Sequence, residues 1–443
     1  MKILSLIAGA GDMYCGSCLR DNALAGELRK QGHDVILTPL YTPVRVDDVS
    51  FSGPRVFFGG ISIYLQQMSA LFRALPKFFD KLWDAPSVIK AFTGRGVEVD
   101  PKRLGELTVS MLRGEDGNQR KEIEHLAEWL RHEPKPDLVT IPYTLLIALA
   151  APLRKVANAP IVCGLQGEEL FLDNLGEPYR TQALDLIRRH VPQVDAFIAV
   201  SEYGKRHMSA YLDILPGRIH VVPLGVDVTG CRPKTTRAPG PTRIGYFSRI
   251  APEKGLHLLA DAYIQLRKSG RLPAARLEAA GYLPPEKKSY LAGQEDKLRQ
   301  AGLAGEFQYH GAPDRAGKLA FLQSLDVLVM PTDFDEPKGI PFLEALSNGV
   351  PVIAPNRGAF PEMAAATGGG ILYEKDALSE AILSLVNDPD RAQALSRTGY
   401  ENVHRHWTLE LMAQRTMDVF NRVTAASSPS VPSSATSSGA HLP

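Results

Sequence analysis

The sequence has little cysteine, almost no net charge and no long apolar run. Its four cysteines are too few and too unevenly spaced for a disulfide framework, so a reducing compartment is expected. Lys and Arg number 50 against 49 Asp and Glu, and the net charge of +1 offers no field to attract nucleic acid. The longest apolar stretch beyond the N-terminus, LLIALAAPL from residue 145, is shorter than the roughly 18 residues that suggest a membrane-spanning helix. The composition therefore predicts a cytoplasmic protein of about two domains.

Short apolar runs alternate with longer amphipathic segments along the 443 residues. Several of the runs are apolar throughout, as strands covered on both faces must be. Helical segments between them favour parallel βαβ sheets. The predicted strands are KILSLIA, DVILTPLY, DLVTIP, IVCGLQ, AFIAVS, HVVPLG, TRIGYFS, ARLEAAG, FQYHG, VLVMPT and PVIAP.

A break in this alternation lies at residues 227–241, where DVTGCRPKTTRAPGP has no hydrophobic periodicity. We interpret this segment as a linker between two doubly wound, Rossmann-like α/β domains, at residues 1–226 and 242–405. Such domains are expected to face a central cleft, a favoured place for a ligand. The Ser/Pro-rich tail at 425–443 is predicted to be disordered.

Residues 41–120 form an irregular insertion in the first domain, and acceptor choice is expected to reside there. Its aromatic stretch FFGGISIYLQQMSALFRALPKFFDKLWD also carries three basic residues. One interpretation is an amphipathic surface that meets a lipid, with residues 62–92 in peripheral contact with the inner face of a membrane. The other is a helical hairpin packed on the sheet, which the interruption at Pro76 favours.

The segment with the most chemistry is VLVMPTDFDEPKGIPFLEALSNGVPVIAPNRG, residues 327–358. It predicts a strand, a loop, a helix and a second strand, because Pro341 suits a first helical turn and Gly349 suits a helix end. The backbone amides of Gly339 and Ile340 then lie at a helix N-terminus, which is a site for an anion. Two carboxylates, Glu336 and Glu344, flank that site and can each accept hydrogen bonds from adjacent hydroxyls of a sugar or ribose.

A second segment, IGYFSRIAPEKGLHLLADAYIQL from residue 244, predicts a strand, a turn and a helix. Arg249 and Lys254 lie five residues apart on that turn. Arginine offers a planar fork and lysine a point charge, a combination suited to holding a diphosphate.

The Glu-x7-Glu pattern, with Pro-x-Gly inside it and EALxxGxPVI after it, resembles the retaining family 4 glycosyltransferases of GT-B fold. The turn SRIAPEKG is similar to the Gly-Arg-Leu and Glu-Lys-Gly segment of that family, with Ser248 where glycine is usual. The resemblance covers residues 1–424 apart from the insertion. It implies a GT-B fold, metal-independent transfer from a nucleoside diphosphate sugar to a hydroxyl acceptor with retained configuration, no cofactor, and a C-terminal helix at 406–424 that crosses back to the first domain.

The resemblance also assigns roles to the residues of the two segments. It implies that Arg249 and Lys254 hold the donor diphosphate, and that Glu336 is a catalytic residue on the sugar hydroxyls. It places Glu344 on the ribose, and the amides of Gly339 and Ile340 on the distal phosphate and sugar.

Two features depart from the family pattern or compete with it. Family members commonly carry a histidine near the donor sugar, where this sequence has Gln166, a residue that cannot shuttle a proton near neutral pH. Glu168 or Glu169 is an alternative group to orient the acceptor. The Asp333-Phe334-Asp335 sequence resembles a metal-binding DxD, but we expect no metal because the basic pair and helix amides already neutralise the diphosphate.

The first loop contains a CxxC at residues 15–18, which is also a signature of redox or metal chemistry. By spacing to GHDV, Cys15 and Gly16 fall on the Gly-Gly pair that family members carry. We therefore interpret Gly11, Cys15 and Gly16 as a glycine loop at the cleft, with a redox role for Cys15 and Cys18 as the alternative.

Three functions are consistent with these patterns. The first is a retaining hexosyltransferase with a nucleotide-sugar donor and a hydroxyl acceptor that is a glycan, a lipid-linked molecule or a small molecule. The second is a nucleotide-sugar 2-epimerase of the same fold. The third is a catalytically degenerate sugar-nucleotide binding protein, which only Gln166 supports.

Overall fold

The computed structural model describes residues 1–9, 16–42, 49–53, 56–58, 67, 101–234, 240–272 and 274–427. These residues form two six-stranded sheets in which all strand pairs are parallel. The first sheet contains β1 Lys2–Ile7, β2 Asp34–Pro39, β3 Leu138–Ile141, β4 Ile161–Leu165, β5 Ala196–Ala199 and β6 Ile219–Val221. The second contains β7 Thr242–Phe247, β8 Ala275–Ala280, β9 Phe307–Tyr309, β10 Val327–Val329, β11 Val352–Pro355 and β12 Gly370–Tyr373.

Helices connect most of these strands. Each of the eleven predicted runs overlaps a strand. Within the described ranges, β12 is the one strand that the sequence analysis missed, and its GILY follows a glycine pair that is typical of a loop. The helices of eight or more residues are α1 Gly16–Lys30, α2 Pro101–Leu112, α3 Arg120–His132, α4 Ala150–Ala157, α5 Tyr179–His190, α6 Glu202–Leu212, α7 Leu256–Lys268, α8 Lys288–Gln300, α9 Arg315–Ser324, α10 Ile340–Ser347, α11 Phe360–Thr367, α12 Leu378–Val386, α13 Pro389–His406 and α14 Leu409–Ser427.

Both faces of the first sheet are buried, as its apolar strands predict. Along β1, Leu4 and Leu6 contribute to the core on one face, and Ile3 and Ile7 contribute to the core on the other. The second of these cores also contains apolar side chains of α14, such as Phe420. The last helix that the structure describes therefore packs against the first sheet.

The order of the strands creates a switch point in each sheet. The second sheet runs β9-β8-β7-β10-β11-β12, the strand order of dinucleotide-binding folds. Successive strands are added toward one edge from β7 to β9 and toward the other edge from β10 to β12, so the strand order reverses between β7 and β10. The first sheet runs β2-β1-β3-β4-β5-β6 and reverses between β1 and β3. Ligands of open α/β sheets bind beyond the carboxyl ends of the strands that flank such a point.

Two predictions concern segments outside the described part of the chain. The stretch at 62–92, proposed as a membrane contact or a packed hairpin, is described only at Gln67, and residues 428–443 of the predicted tail are not described. Among the residues that the structure describes, no helix combines the length and apolar character needed to cross a membrane.

Candidate active site

A cavity of about 470 Å³ lies between the carboxyl ends of the two sheets. Seven of the ten predicted site residues line it: Gly16, Gln166, Arg249, Lys254, Glu336, Ile340 and Glu344. Gly339 directly precedes Ile340, whereas Gly11 and Cys15 lie outside the described residues. Residues that are more than 300 positions apart in the sequence thus face one space.

The fold brings the two predicted segments together because each follows a strand at the switch point. Arg249 and Lys254 follow β7, and Glu336 lies in the loop after β10. Gly255 starts α7 with a φ of +77°, and a Cβ atom there would come within 1.8 Å of the Pro331 carbonyl oxygen. This glycine is needed because the turn after β7 packs directly on the loop after β10.

Lys254 is held by two groups of that loop. Its Nζ donates a hydrogen bond of 2.5 Å to Glu336 Oε2, and it lies 4.5 Å from the centre of the Phe334 ring. Glu336 is 5% exposed. Burial raises the pKa of this carboxyl, but the charges and hydrogen bonds of Lys254 and Lys338 outweigh burial and leave the pKa below its usual value. The carboxylate is therefore charged at neutral pH and is an acceptor of hydrogen bonds.

The helix after this loop begins as predicted. Gly339 has a φ of +65° and precedes α10, and Pro341 lies in the first turn. The amides of Gly339 and Ile340 are at the helix N-terminus, where the helix dipole favours an anion. Glu344, one turn further on, accepts a hydrogen bond of 2.8 Å from Lys318 Nζ at the edge of the same cavity.

Arg249 is the most accessible of the predicted donor-binding groups. Its guanidinium pairs with Glu253 four residues later, and its side chain is 44% exposed. An exposed pair of this kind contributes little stability, so a diphosphate can replace the carboxylate at low cost. Arg249 is thus available to a ligand in the cavity.

The first sheet presents a different kind of wall to the cavity. Gln166 follows β4 and is 4% exposed. Its Nε2 donates to both carboxylate oxygens of Asp21, at 3.3 and 3.1 Å, and to the Pro142 carbonyl oxygen at 2.9 Å. Asp21 also pairs with Arg20, at 2.9 Å. The amide donors of Gln166 are therefore committed to the protein, and its buried Oε1 has no hydrogen-bond partner among the described residues.

The two glutamates after Gln166 have different environments. Glu168 accepts hydrogen bonds from the amide of Gln166 at 2.7 Å and from the amide and hydroxyl of Thr144 at 3.0 and 2.8 Å. Its carboxylate therefore organises the loops after β3 and β4. Glu169 is buried, and its Oε2 has no hydrogen-bond partner among the described residues. Burial, and next the charge of Glu168, raise the pKa of Glu169 to about 7.

The two walls contact each other beside the cavity. Ser201 Oγ donates to the Pro337 carbonyl oxygen at 3.1 Å. The amides of Glu202 and Tyr203, at the N-terminus of α6, each donate 3.0 Å hydrogen bonds to the carboxylate of Glu362 from α11. Sequence analysis missed these contacts, because a surface glutamate gives no signal that it caps a helix of the opposite wall.

The acidic residues of the DxD and a histidine of the second domain have protein partners. Asp335 accepts a 2.7 Å hydrogen bond from Arg357, and Asp333 lies 3.8 Å from the same guanidinium. His310 Nε2 lies 2.7 Å from the buried carboxylate of Glu278. Cys18 is a buried thiol in the first turn of α1. Among the described residues, no cluster of His, Cys, Asp and Glu has an arrangement that could hold a metal ion.

Solved structures of similar fold cover nearly the whole chain. Sucrose-phosphate synthase from Thermosynechococcus elongatus is 18% identical, with a TM-score of 0.70, and the match covers 96% of this chain and 100% of that chain. Anabaena HepE in complex with UDP-glucose is 16% identical, with a TM-score of 0.64 and coverages of 95% and 100%. The chain has the GT-B fold, with two Rossmann-like sheets, as predicted.

Sequence comparisons identify the family. The model described as Glycosyltransferase Family 4 matches residues 105–229, and the model described as Glycosyl transferases group 1 matches residues 230–402. The chain belongs to the family 4 glycosyltransferases of GT-B fold, which confirms the resemblance drawn from the Glu-x7-Glu segment.

Curated relatives are similar over a large part of the chain. Alpha-maltose-1-phosphate synthase of Mycolicibacterium smegmatis is 29% identical over 281 residues, which cover 57% of this chain and 69% of the relative. GDP-mannose-dependent monoacylated alpha-(1-6)-phosphatidylinositol monomannoside mannosyltransferase of Corynebacterium glutamicum is 28% identical over 296 residues, 62% of this chain and 73% of the relative. The chain is thus a hexosyltransferase-type enzyme, and these relatives do not favour the epimerase alternative.

Proposed function

We propose that this glycosyltransferase moves a hexosyl group from a nucleoside diphosphate sugar to a hydroxyl acceptor with retention of the anomeric configuration. The observation that carries the proposal is the meeting of the loops after β7 and β10 at one switch point, above one cavity. The donor is proposed as a nucleotide sugar because HepE was solved with UDP-glucose and the C. glutamicum relative is GDP-mannose-dependent by name.

The donor is proposed to lie along the second sheet. Arg249 and Lys254 hold the diphosphate, and the amides of Gly339 and Ile340 face its distal phosphate and the sugar. Glu336 accepts hydrogen bonds from the sugar hydroxyls, and the ribose reaches Glu344. These cations and amides supply the positive charge that the diphosphate requires, so we propose that transfer needs no metal ion.

The acceptor is proposed to enter from the wall formed by the first sheet. As the bond from the anomeric carbon to the phosphate oxygen breaks, the acceptor oxygen bonds to the same face of that carbon, and its proton passes to the phosphate. This route requires no protein base, so Gln166 can stand where a histidine is common. The protein then acts by positioning the reactants and stabilising the leaving charge.

We further propose a cytoplasmic enzyme that can contact a membrane through residues 62–92. The support is the aromatic and basic composition of that stretch and the lipid acceptor in the name of the C. glutamicum relative.

The test combines binding and turnover. We expect UDP or GDP to raise the unfolding temperature of the wild type, and Arg249→Ala and Lys254→Ala each to weaken diphosphate binding roughly 10- to 100-fold, because each removes a charge-assisted contact. Lys268→Ala, an exposed lysine at the far end of α7, is the matched control. Mass spectrometry of acceptor mixtures with matching nucleotide sugars would then detect the transferred hexose.

Normal diphosphate binding in both variants would show that the site is wrong. Binding without turnover in any acceptor mixture would favour a sugar-nucleotide sensor. Interconversion of the donor sugars would favour an epimerase.

A further inference from the structure

Lys338 lies between Glu336 and Gly339 in the loop after β10, and the proposed function gives its ammonium no contact with a ligand. Its backbone amide donates to Glu336 Oε1 at 3.3 Å. Its side chain lines the cavity and extends across to the first wall, where Nζ donates a 2.9 Å hydrogen bond to Ser17 Oγ. Ser17 is in the first turn of α1. The ammonium therefore lies where the loop that carries Glu336 meets the N-terminus of a helix on the opposite wall.

The cations that line the cavity differ in their partners. Arg249, Lys254 and Lys318 are each in an ion pair with a glutamate. Lys338 contacts the neutral hydroxyl of Ser17, and in the described part of the chain no carboxylate lies within ion-pair distance of it. The charge of Glu336 acts on this ammonium at a distance, but that carboxylate is already paired with Lys254, so among the described residues Lys338 has no ion-pair partner of its own. An anionic ligand in the cavity would supply that partner.

The nearby Glu169 does not replace such a ligand. Its pKa of about 7, raised by burial and the charge of Glu168, leaves this carboxyl only partly ionised at neutral pH. Lys338 acts on it electrostatically but is not in contact with it. Glu169 thus offers Lys338 at most a weak counter-charge.

Gln166 gives a second, independent reason to expect a ligand here. It is 4% exposed and lines the same cavity, and its Oε1 has no hydrogen-bond partner among the described residues. Its Nε2 is already bonded to Asp21 and to the Pro142 carbonyl oxygen. Gln166 can therefore accept a hydrogen bond from a hydroxyl but cannot donate one to an oxyanion. On this side of the cavity, Lys338 supplies the donor that Gln166 lacks.

We propose that Lys338 is a third cationic catalytic residue, whose ammonium contacts a phosphate oxygen in the cavity and stabilises the leaving diphosphate. The electron pair of the broken bond between carbon and oxygen remains on that phosphate, and the lysine faces the charge that develops there. This inference rests on the proposed function and adds a residue to it. The same ammonium chemistry would suit a phosphate group on the acceptor, and the experiment separates the two sources.

The experiment compares nucleoside diphosphates with monophosphates by calorimetry. In Lys338→Met, which keeps the apolar stem, we expect the affinity for UDP or GDP to fall about 5- to 20-fold and the affinity for UMP or GMP to stay within about twofold. We expect kcat to fall at least about 10-fold, with partial recovery in Lys338→Arg. Lys155→Met, an exposed lysine far from the cavity, is the control. Unfolding temperatures verify the fold, and Lys338→Gln replaces the methionine variant if that variant unfolds.

Three results would overturn the proposal. Unchanged diphosphate affinity with a raised KM for the acceptor would assign the lysine to an acceptor phosphate. Equal losses in Ser17→Ala and Lys338→Met would show that the contact between the walls matters and not the charge. Unchanged binding and kcat would show no role in the reaction. Lys254→Met is measured in parallel: if it loses diphosphate affinity and Lys338→Met does not, only this inference fails, whereas no loss in either variant contradicts the proposed function itself.

Discussion

The two walls of the cavity are built in opposite ways. The wall from the second sheet takes most of its charged groups from two short segments, residues 249–254 and 336–344, and Lys318 of α9 adds one more. Arg249, Lys254 and Lys318 are each paired with a glutamate. The wall from the first sheet takes its polar groups from three separate places, which are α1, the loop after β3 and the loop after β4. Most of these groups are bonded to each other: Asp21, Thr144, Gln166 and Glu168. The wall from the second sheet thus depends on local sequence, and the wall from the first sheet depends on tertiary contacts.

This difference indicates how each wall would respond to substitution. Replacing Arg249 or Lys254 removes a proposed contact to the ligand and is expected to leave the fold largely intact. Glu253, the partner of Arg249, is partly exposed and can turn to solvent, and the buried Glu336 keeps the amide and the nearby charge of Lys338. Replacing a buried group of the first wall leaves other buried polar atoms without partners, which costs stability first. The three predictions below test this contrast.

The largest effect is expected for Glu336→Gln on the donor side. The glutamine side chain is neutral, so it loses the charge that pairs with Lys254, whose Nζ lies 2.5 Å from Glu336 Oε2. The amide oxygen is also a weaker acceptor than a carboxylate for hydrogen bonds from the proposed sugar hydroxyls. We expect kcat/KM to fall roughly 100- to 1,000-fold. Steady-state kinetics with the matching nucleotide sugar measures this. Asp333→Asn, in the same loop but 68% exposed, is the control. Activity of Glu336→Gln within tenfold of the wild type would remove Glu336 from the reaction.

An intermediate effect is expected for Glu169→Gln on the first wall, and it concerns stability. The pKa of Glu169 in the folded state, about 7, lies above its ordinary value of 4.5, so the folded protein holds a proton that the unfolded chain releases. Wild-type stability should therefore fall as pH rises from about 4.5 to 7 and then level off, by an amount of roughly 3 kcal/mol. The amide cannot ionise, so the variant should lack this decline.

Urea denaturation from pH 5 to 8 measures the difference between wild type and Glu169→Gln. Glu286→Gln, at an exposed position, should reproduce the wild-type profile. Parallel profiles for the wild type and Glu169→Gln would contradict a proton held at this carboxyl.

The smallest effect is expected for Glu362→Ala, which joins the two walls. The substitution removes the acceptor for the amides of Glu202 and Tyr203 at the start of α6, a capping contact worth roughly 1 kcal/mol. We expect the donor KM to rise about threefold to fivefold with kcat nearly unchanged, because the walls meet less tightly. Glu401→Ala, exposed on α13, is the control. An unaltered KM would show that the capping contact does not help close the cavity.

The fold could be predicted closely from local patterns. Buried parallel strands are apolar along their whole length, so eleven strands were visible as runs between helical segments. The strand β12 was missed because its four residues are only half buried and follow glycines. The start of α10 was predicted from Pro341, because proline at a first helical turn costs no hydrogen bond.

The sequence predicted the charged residues of the second wall, but on the first wall it predicted Gly16 and Gln166 without their partners. The charged residues of the second wall lie in two segments of fewer than ten residues, so their spacing in the sequence was enough to predict a binding site. They are Arg249, Lys254, Glu336 and Glu344. The partners of Gln166 are 24 and 145 positions away, and the hydrogen bond from Lys338 to Ser17 spans 321 positions. No sequence spacing encodes contacts over such distances.

By itself, the sequence determined the α/β class, most strands, the helix that begins after Gly339, and most charged residues of the wall from the second sheet. Each depends on neighbours within about ten residues, through strand burial, helix capping and the helix dipole. Only the tertiary structure decided that β7 lies next to β10, that the Gln166 side chain donates a hydrogen bond to Asp21, and that Lys338 contacts α1. Those outcomes depend on strand order and on packing between distant segments, and the energy of a buried polar group is set by whichever partner the fold brings to it.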